Sequence, residues 1–295
     1  MPPAPLAVLQ TNISPISSAL ILDCAGKPVD LGIPQVMGIL NITPDSFSDG
    51  GRFINHDASL TRARQMVDEG ASMIDIGGES TRPGARSVSV QEELDRVIPV
   101  IEALSTELPV PLSIDTSKAT VMREAVGAGA GLINDVLALQ AEGALAAAVD
   151  LSVPVCLMHM QGAPRTMQQS PEYLNVVEDV KDFLAERVKA CLDAGVLRER
   201  ILIDPGFGFG KTLEHNLALL KNLKRIGELK TPLLVGVSRK SMIGTLLGDV
   251  SVDKRLFGSI AAAVIAVLEG ASIIRTHDIR ATVDALKVTM AVTSS

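Results

Sequence analysis

The sequence predicts an α/β protein folded as a closed (β/α)8 barrel, the TIM-barrel architecture, with an N-terminal hairpin capping the closed end. Eight short apolar runs each end at a polar or charged residue. The runs are continuously apolar rather than alternating, as strands of a parallel sheet covered on both faces are. Between them lie segments whose apolar residues recur at i, i+3, i+4 and i+7, the spacing of one buried helix face. Eight strand–helix units close a barrel. A doubly wound open sheet is the alternative, because periodicity does not report closure.

Residues 1–34 stand outside this repeat, and Ser18–Leu31 reads as two short strands around Gly26. The first barrel run is Val36–Ile42, with Asn41 at its end, followed by a helix through Leu60, Ala63 and Val67. Met73–Ile76 surrounds Asp75, and Leu94, Val97, Ile98, Ile101 and Leu104 line the next helix. Pro111–Ile114 precedes Asp115, and Leu132–Ile133 precedes Asn134 and Asp135. Val153–Met158 leads to His159, and Ile201–Ile203 to Asp204. One helix is predicted through Leu213, Leu217, Leu220, Leu223 and Ile226. Leu233–Val237 then precedes Ser238, and Ile273–Ile274 precedes Arg275 and His277. Gly70, Gly127, Gly195 and Gly270 sit where helices end, as left-handed cap residues do. No interdomain linker breaks the pattern, so 1–295 reads as one domain, with a 1–34 extension and a 35–293 barrel.

Composition narrows the function. A chain of 295 residues with 47% hydrophobic content builds a substantial core. A net charge of −7, no Trp and one Tyr argue against a nucleic-acid partner, which needs clustered cations or stacking aromatics. Cys24, Cys156 and Cys191 form no CxxC pair, which fits reduced structural thiols. No cation precedes Lys27, and the longest apolar stretch, Ile260–Leu268, is too short to cross a bilayer. A cytoplasmic location, with no membrane partner, is expected.

Three motifs invite misreading. Gly127–Gly131 alternates Gly and Ala like a dinucleotide loop, but it follows a helix and precedes a strand, the reverse of that fingerprint. Gly206–Thr212 imitates a phosphate loop, yet Pro205 stands at the required first glycine and phenylalanines interrupt the wrap. Its glycines instead suit a loop that approaches a ligand closely. The four histidines show no zinc spacing. A magnesium ion escorted by a phosphorylated substrate stays open, since it asks little of the protein.

All strand C-termini of a parallel barrel open on one face, so the polar run ends converge. Asp75, Asp115, Asn134, Asp135 and Asp204, with Lys240, suit a flat nitrogen-rich ring: a carboxylate accepts from an amine and an adjacent ring N–H together. Any one of them could equally be a turn or helix cap. Ser80, Thr81 and Arg82, then Arg275 and His277, form a cationic, phosphate-friendly group. Arg82 and Arg86 could equally be solvated loop charges, and Lys118 a helix-start residue.

These residues carry a family resemblance. Met37–Gly51, reading MGILNITPDSFSDGG, closely resembles the first signature of dihydropteroate synthases, and Asp75–Gly84, reading DIGGESTRPG, resembles the second. Ser113–Ser117, Ile133–Asp135, Met158–Gly162, Ile203–Lys211, Ser238–Gly244 and Arg275–Asp278 continue the pattern in order, from about residue 35 to 280. The resemblance implies a transferase of folate biosynthesis. It would join 6-hydroxymethyl-7,8-dihydropterin pyrophosphate to p-aminobenzoate, giving 7,8-dihydropteroate and pyrophosphate by a dissociative displacement. It assigns Asp115, Asn134, Asp204 and Lys240 to the pterin pocket. Asn41, Arg275 and His277 would hold pyrophosphate, with Asn41 also near Mg2+. Thr81, Arg82, Pro83, Phe209, Lys240 and Ser241 would surround p-aminobenzoate, with Phe47 closing over it. Asp115, Lys240, Arg275 and His277 are the expected catalytic set. Such enzymes are usually homodimers, here with the Gly258–Leu268 helix and its neighbour as candidate contacts, and are targets of sulfonamides, which imitate p-aminobenzoate. The alternatives are a pterin-binding methyltransferase-type module, a non-catalytic paralogue, or a Schiff-base enzyme using Lys240. The last is disfavoured because no neighbour in the sequence obviously desolvates that lysine.

Overall fold

The computed structural model describes residues 20–42, 52–80, 86–162, 167, 168 and 170–295, with side chains of the first helix from His56 onward. It opens with an antiparallel hairpin, β1 (Ile21–Cys24) and β2 (Lys27–Asp30), turning at Ala25 and Gly26. The barrel strands follow: β3 (Gln35–Asn41), β4 (Met73–Gly77), β5 (Leu112–Asp115), β6 (Leu132–Asp135), β7 (Val155–Met158), β8 (Ile201–Asp204), β9 (Leu234–Val235) and β10 (Ile273–Thr276). Each is parallel to its neighbour, in the order β8-β7-β6-β5-β4-β3-β10-β9. A single bridge, Ile203 to Leu233, joins β8 to the β9 segment and brings the ring round.

The helices lie outside: α1 (Arg52–Asp68), α2 (Val90–Glu107), α3 (Ala119–Gly127), α4 (Ala144–Leu151), α5 (Val176–Asp193), α6 (Leu213–Lys221), α7 (Leu223–Gly227), α8 (Ser241–Leu246), α9 (Leu256–Leu268) and α10 (Ile279–Thr293). Local chemistry sets several starts. Ser89 caps α2 by accepting from the Glu92 amide, and Asn175 caps α5 by accepting from the Val177 and Glu178 amides.

Strand periodicity divides the interior in two. Outward residues, among them Leu40, Ile74, Ile114, Ile133, Val155, Ile203, Val235 and Ile274, pack against the helices in one large cluster. Inward residues near the strand starts, Met37, Met73, Leu132, Cys156, Leu202, Leu234 and Ile273, form a second cluster with Leu22, Cys24, Val29 and Leu31 of the hairpin. The hairpin therefore plugs the closed end. The plug fits tightly at Gly131, where an added Cβ would overlap the Cys24 carbonyl, its carbon only 2.7 Å away.

Three details depart from the sequence reading. The helix expected through Leu213–Ile226 is two helices, interrupted at Asn222 (φ −115°, ψ 26°), whose side-chain amide bonds back to the Ala218 carbonyl. Leu217, placed on the buried face, is exposed. Gly70, Gly195 and Gly270 take left-handed φ of 101°, 103° and 102°, but the fourth such residue is Gly129 (φ 115°), while Gly127 stays in α3. The Gly127–Gly131 stretch is a helix-to-strand turn, as its order requires. Only Leu234 and Val235 of the Leu233–Val237 run form regular strand. Among the described residues, no helix is long and apolar enough to cross a membrane.

Candidate active site

Two residues beyond the inner apolar layer the same strand faces turn polar. Met73, Leu132, Leu202 and Ile273 are followed by Asp75, Asn134, Asp204 and Arg275, and Leu234 by Gly236. The period of two aims all of these into the barrel, above the plug and below the loops. Gly236 leaves room, since a Cβ there would lie 3.9 Å from the Arg275 Cβ.

Arg275 is the hub. Its Nε donates to Asp75 Oδ2 at 2.6 Å and its Nη2 to Asp115 Oδ2 at 2.8 Å. Asn134 Nδ2 donates to the same Asp75 oxygen at 2.9 Å, so Asp75 orients both neighbours, while Asp75 Oδ1 is buried with no partner among the described residues. Burial works against the Arg275 charge, but Asp75 and Asp115 outweigh it and hold its pKa above the usual value. Asp115 is pushed up to about 7 by burial, against the pull of Arg275 and with the help of Asp75. Burial also raises Asp204, opposed by Lys240 and by the Gly206 amide, which donates to Asp204 Oδ1 at 2.7 Å.

The loop after β8 completes one wall. Lys240 Nζ donates to the Phe207 carbonyl and stands 4.5 Å from the centre of the Phe209 ring. Its pKa is lowered to about 8, chiefly by burial and against the attraction of Asp204. The expectation that nothing desolvates Lys240 is therefore corrected: the glycine loop covers it. The Phe207 carbonyl also occupies its ammonium, so desolvation alone does not make it a carbonyl-trapping amine. Arg239, preceding it, has left-handed φ (56°), pairs bidentately with Asp278 and donates to no carboxylate of the pocket among the described residues.

Of the sequence-derived residues, Asp115, Asn134, Asp204, Lys240 and Arg275 converge on the barrel mouth. Asn41 ends β3 beside them: a Cβ on Gly77 would lie 3.7 Å from its Oδ1 and 3.7 Å from Asp115 Oδ2. His277 sits above β10, its Nδ1 3.1 Å from Ser238 Oγ. Ser241 is exposed at the start of α8, and Phe209 faces Lys240. Phe47, Thr81, Arg82 and Pro83 lie outside the described residues. Asp135, grouped with the pocket carboxylates, instead accepts from Ser117 Oγ and the Leu137 and Leu139 amides, a loop-capping role. Lys118 is more than a helix start: its ammonium pairs with Glu79 and with Glu93, which is fully buried. Asp75 as an orienting group is what the residue-by-residue reading missed; its two-residue offset from Met73 is the signal.

The family described as pterin binding enzyme matches residues 37–277. A dihydropteroate synthase of Haemophilus influenzae is 56% identical over 262 residues, covering 89% of this chain and 95% of the relative. The chain belongs to the dihydropteroate synthase family. An Escherichia coli member is 52% identical over 270 residues, covering 92% of this chain and 95% of that one. A Xanthomonas albilineans dihydropteroate synthase solved with 4-aminobenzoic acid superposes with a TM-score of 0.90 at 52% identity, over 94% of this chain and all of that chain. A Yersinia pestis dihydropteroate synthase in a sulfonamide drug complex gives 0.89 at 53% identity, over 93% of this chain and 100% of the other.

Proposed function

We propose that this chain joins a dihydropterin pyrophosphate to p-aminobenzoate, releasing pyrophosphate and forming 7,8-dihydropteroate. The observation that carries the reading is the inward polar layer of Asp115, Asn134, Asp204 and Arg275 over a sealed apolar plug. Membership in the family supports the same reaction. Asp204 and Asn134 offer an acceptor and an amide to the amine and ring N–H groups of a flat pterin. Lys240 offers its ammonium to a ring nitrogen or carbonyl from the opposite wall.

The displacement we infer is dissociative. The bond between the pterin methylene carbon and a pyrophosphate oxygen breaks, and its electron pair leaves with the anion. The methylene cation left behind is delocalised into the ring, where the ionised Asp115 stabilises it. The neutral arylamine nitrogen then bonds to that carbon and releases a proton, so no strong base is needed. Arg275 and His277 stabilise the departing anion. Arg275 Nη1 makes no hydrogen bond among the described residues, and this leaves a donor for a phosphate oxygen while Nε and Nη2 stay on the carboxylates.

Magnesium fits this reading as a companion of the pyrophosphate. Asn41 supplies one hard oxygen in the space that Gly77 leaves open, and no described group of three His, Cys, Asp or Glu side chains forms a cage. When bound, it would add positive charge at the leaving oxygens. Buried, unbridged Cys24, Cys156 and Cys191 support a reducing, cytoplasmic setting. A homodimer is supported by exposed Leu246, Leu247, Val252 and Phe257 around α8 and α9, continued by Val288 and Val292 on α10.

The test incubates purified protein with magnesium, the pterin pyrophosphate and labelled p-aminobenzoate. Labelled dihydropteroate with equimolar pyrophosphate is expected. Saturating substrates without product would overturn the reading.

A further inference from the structure

The loop from Gly206 to Gly210 joins β8 to α6 without forming helix or strand, so its backbone polar groups need other partners. Side chains supply them in an unbroken series. Lys211 donates to the Gly206 carbonyl at 2.9 Å and to the Phe209 carbonyl at 3.0 Å. Lys240 takes the Phe207 carbonyl, Gln168 the Gly208 carbonyl, and the Tyr173 hydroxyl the Gly210 carbonyl at 2.7 Å. Gly206, at φ 69°, admits no side chain, because a Cβ would overlap the His159 carbonyl.

Lys211 holds two of these five carbonyls. It is 3% exposed and touches no carboxylate; its nearest further partner is His159 Nδ1 at 2.8 Å. Burial lowers the Lys211 pKa well below its usual value, and with Lys211 as an ammonium, which has only donors, His159 presents Nδ1 as the acceptor and carries its proton on Nε2. Burial and the adjacent Lys211 charge agree with this, holding His159 down to about 3. The imidazole is fixed in turn by an edge contact with Phe183, ring centres 4.9 Å apart. A buried cation with neutral partners is costly, and this one keeps all three of its protons in use.

We propose that Lys211, braced by His159, is a positioning residue for the p-aminobenzoate side of the site: it gathers the Gly206 and Phe209 carbonyls into the turn that gives Lys240 its carbonyl partner and its facing ring. Phe207 and Phe209 lie between and at the ends of the two carbonyls it holds, so the turn cannot open without moving both Lys240 contacts. Asp115, Asn134 and Arg275 stand on β5, β6 and β10 and share no hydrogen bond with this loop among the described residues, whereas Asp204 accepts from its Gly206 amide.

The inference rests on the proposed reaction, and its test separates the two. Product formation by the wild type, with KM for p-aminobenzoate, kcat, and Kd for the pterin pyrophosphate by calorimetry, is compared with Lys211→Met, His159→Leu and His159→Asn. Lys211→Met and His159→Leu are expected to raise KM for p-aminobenzoate about tenfold or more, with a clearly smaller rise in pterin Kd, since only Lys240 and the Gly206 bond to Asp204 link the loop to the pterin side. His159→Asn puts an amide oxygen near the lost Nδ1 and should recover most of the His159→Leu loss. If Lys211→Met does not fold, the His159 pair decides. Wild-type KM for p-aminobenzoate in His159→Leu, or KM and pterin Kd rising together by the same factor, would overturn the assignment. An inactive wild type would count against the reaction itself and leave the loop geometry to the pterin titrations, where weakening of about tenfold or more in all three variants would also count against the positioning role.

Discussion

Asp75→Asn is the most informative single change, because it keeps shape and removes only charge. Asp75 is fully buried and Arg275 is 19% exposed at its side chain, so their contact is poorly screened. Removing one member of a buried pair costs about 3–5 kcal/mol when the other is stranded. Here Arg275 keeps Asp115 at 2.8 Å, so we expect about 2 kcal/mol, read as a fall in Tm of about 3 °C. The catalytic signature is more specific. Asp115 titrates at about 7 in part because the Asp75 charge opposes its ionisation. Without that charge, and with Arg275 left to Asp115 alone, the Asp115 pKa falls. In the proposed displacement the ionised form serves catalysis, so the acid limb of kcat/KM against pH is expected to begin near 7 in the wild type and to move to lower pH in Asp75→Asn. Overall turnover should fall about tenfold, as Asn134 and Arg275 lose their shared anchor. An acid limb that stays in place, or moves to higher pH, would refute the assignment of Asp115 as the titrating group.

Other expectations follow from the same geometry. Asp204→Ala should weaken pterin binding by about 2–5 kcal/mol in calorimetry, and unchanged affinity would give Asp204 another task. The ammonium of Lys240 is lost as pH rises through about 8, so an alkaline limb should appear there and shift upward in Lys240→Arg. Gly131→Ala forces the hairpin off the barrel floor and should cost about 1–3 kcal/mol in denaturant unfolding with kcat preserved at low temperature. Phe257→Glu places a charge in the exposed apolar patch and should convert a dimer to monomers in light scattering, with no change expected if that face is free.

The barrel was readable because eight apolar runs repeat with helical segments between them, and the polar ends of β4, β5, β6, β8 and β10 do meet. The family resemblance added roles that run ends alone leave open, since Asp135 has the same sequence setting as Asn134 yet caps a loop. What periodicity could not show was where a helix breaks and which residues distant in the chain come into contact. Asn222 breaks a helix whose apolar spacing continues through it. Lys240 is desolvated by a glycine loop some thirty residues earlier in the chain. Lys211 looked like the lysine of a phosphate loop; it instead gathers two carbonyls of its own loop, and its distant partner His159 becomes adjacent only when β7 and β8 pair.

The joint between β8 and the β9 segment has a mechanical consequence. Where other neighbours share ladders, this pair shares one bridge, and the loops bearing Phe209 and Lys240 spring from its two sides. A slight spreading of that seam widens the arylamine entrance while the ladders from β4 to β6 keep the opposite end of the cavity rigid. Ligand that ties the two loops together should therefore slow amide exchange at Ile203 and Leu234 far more than at Ile76 or Ile114.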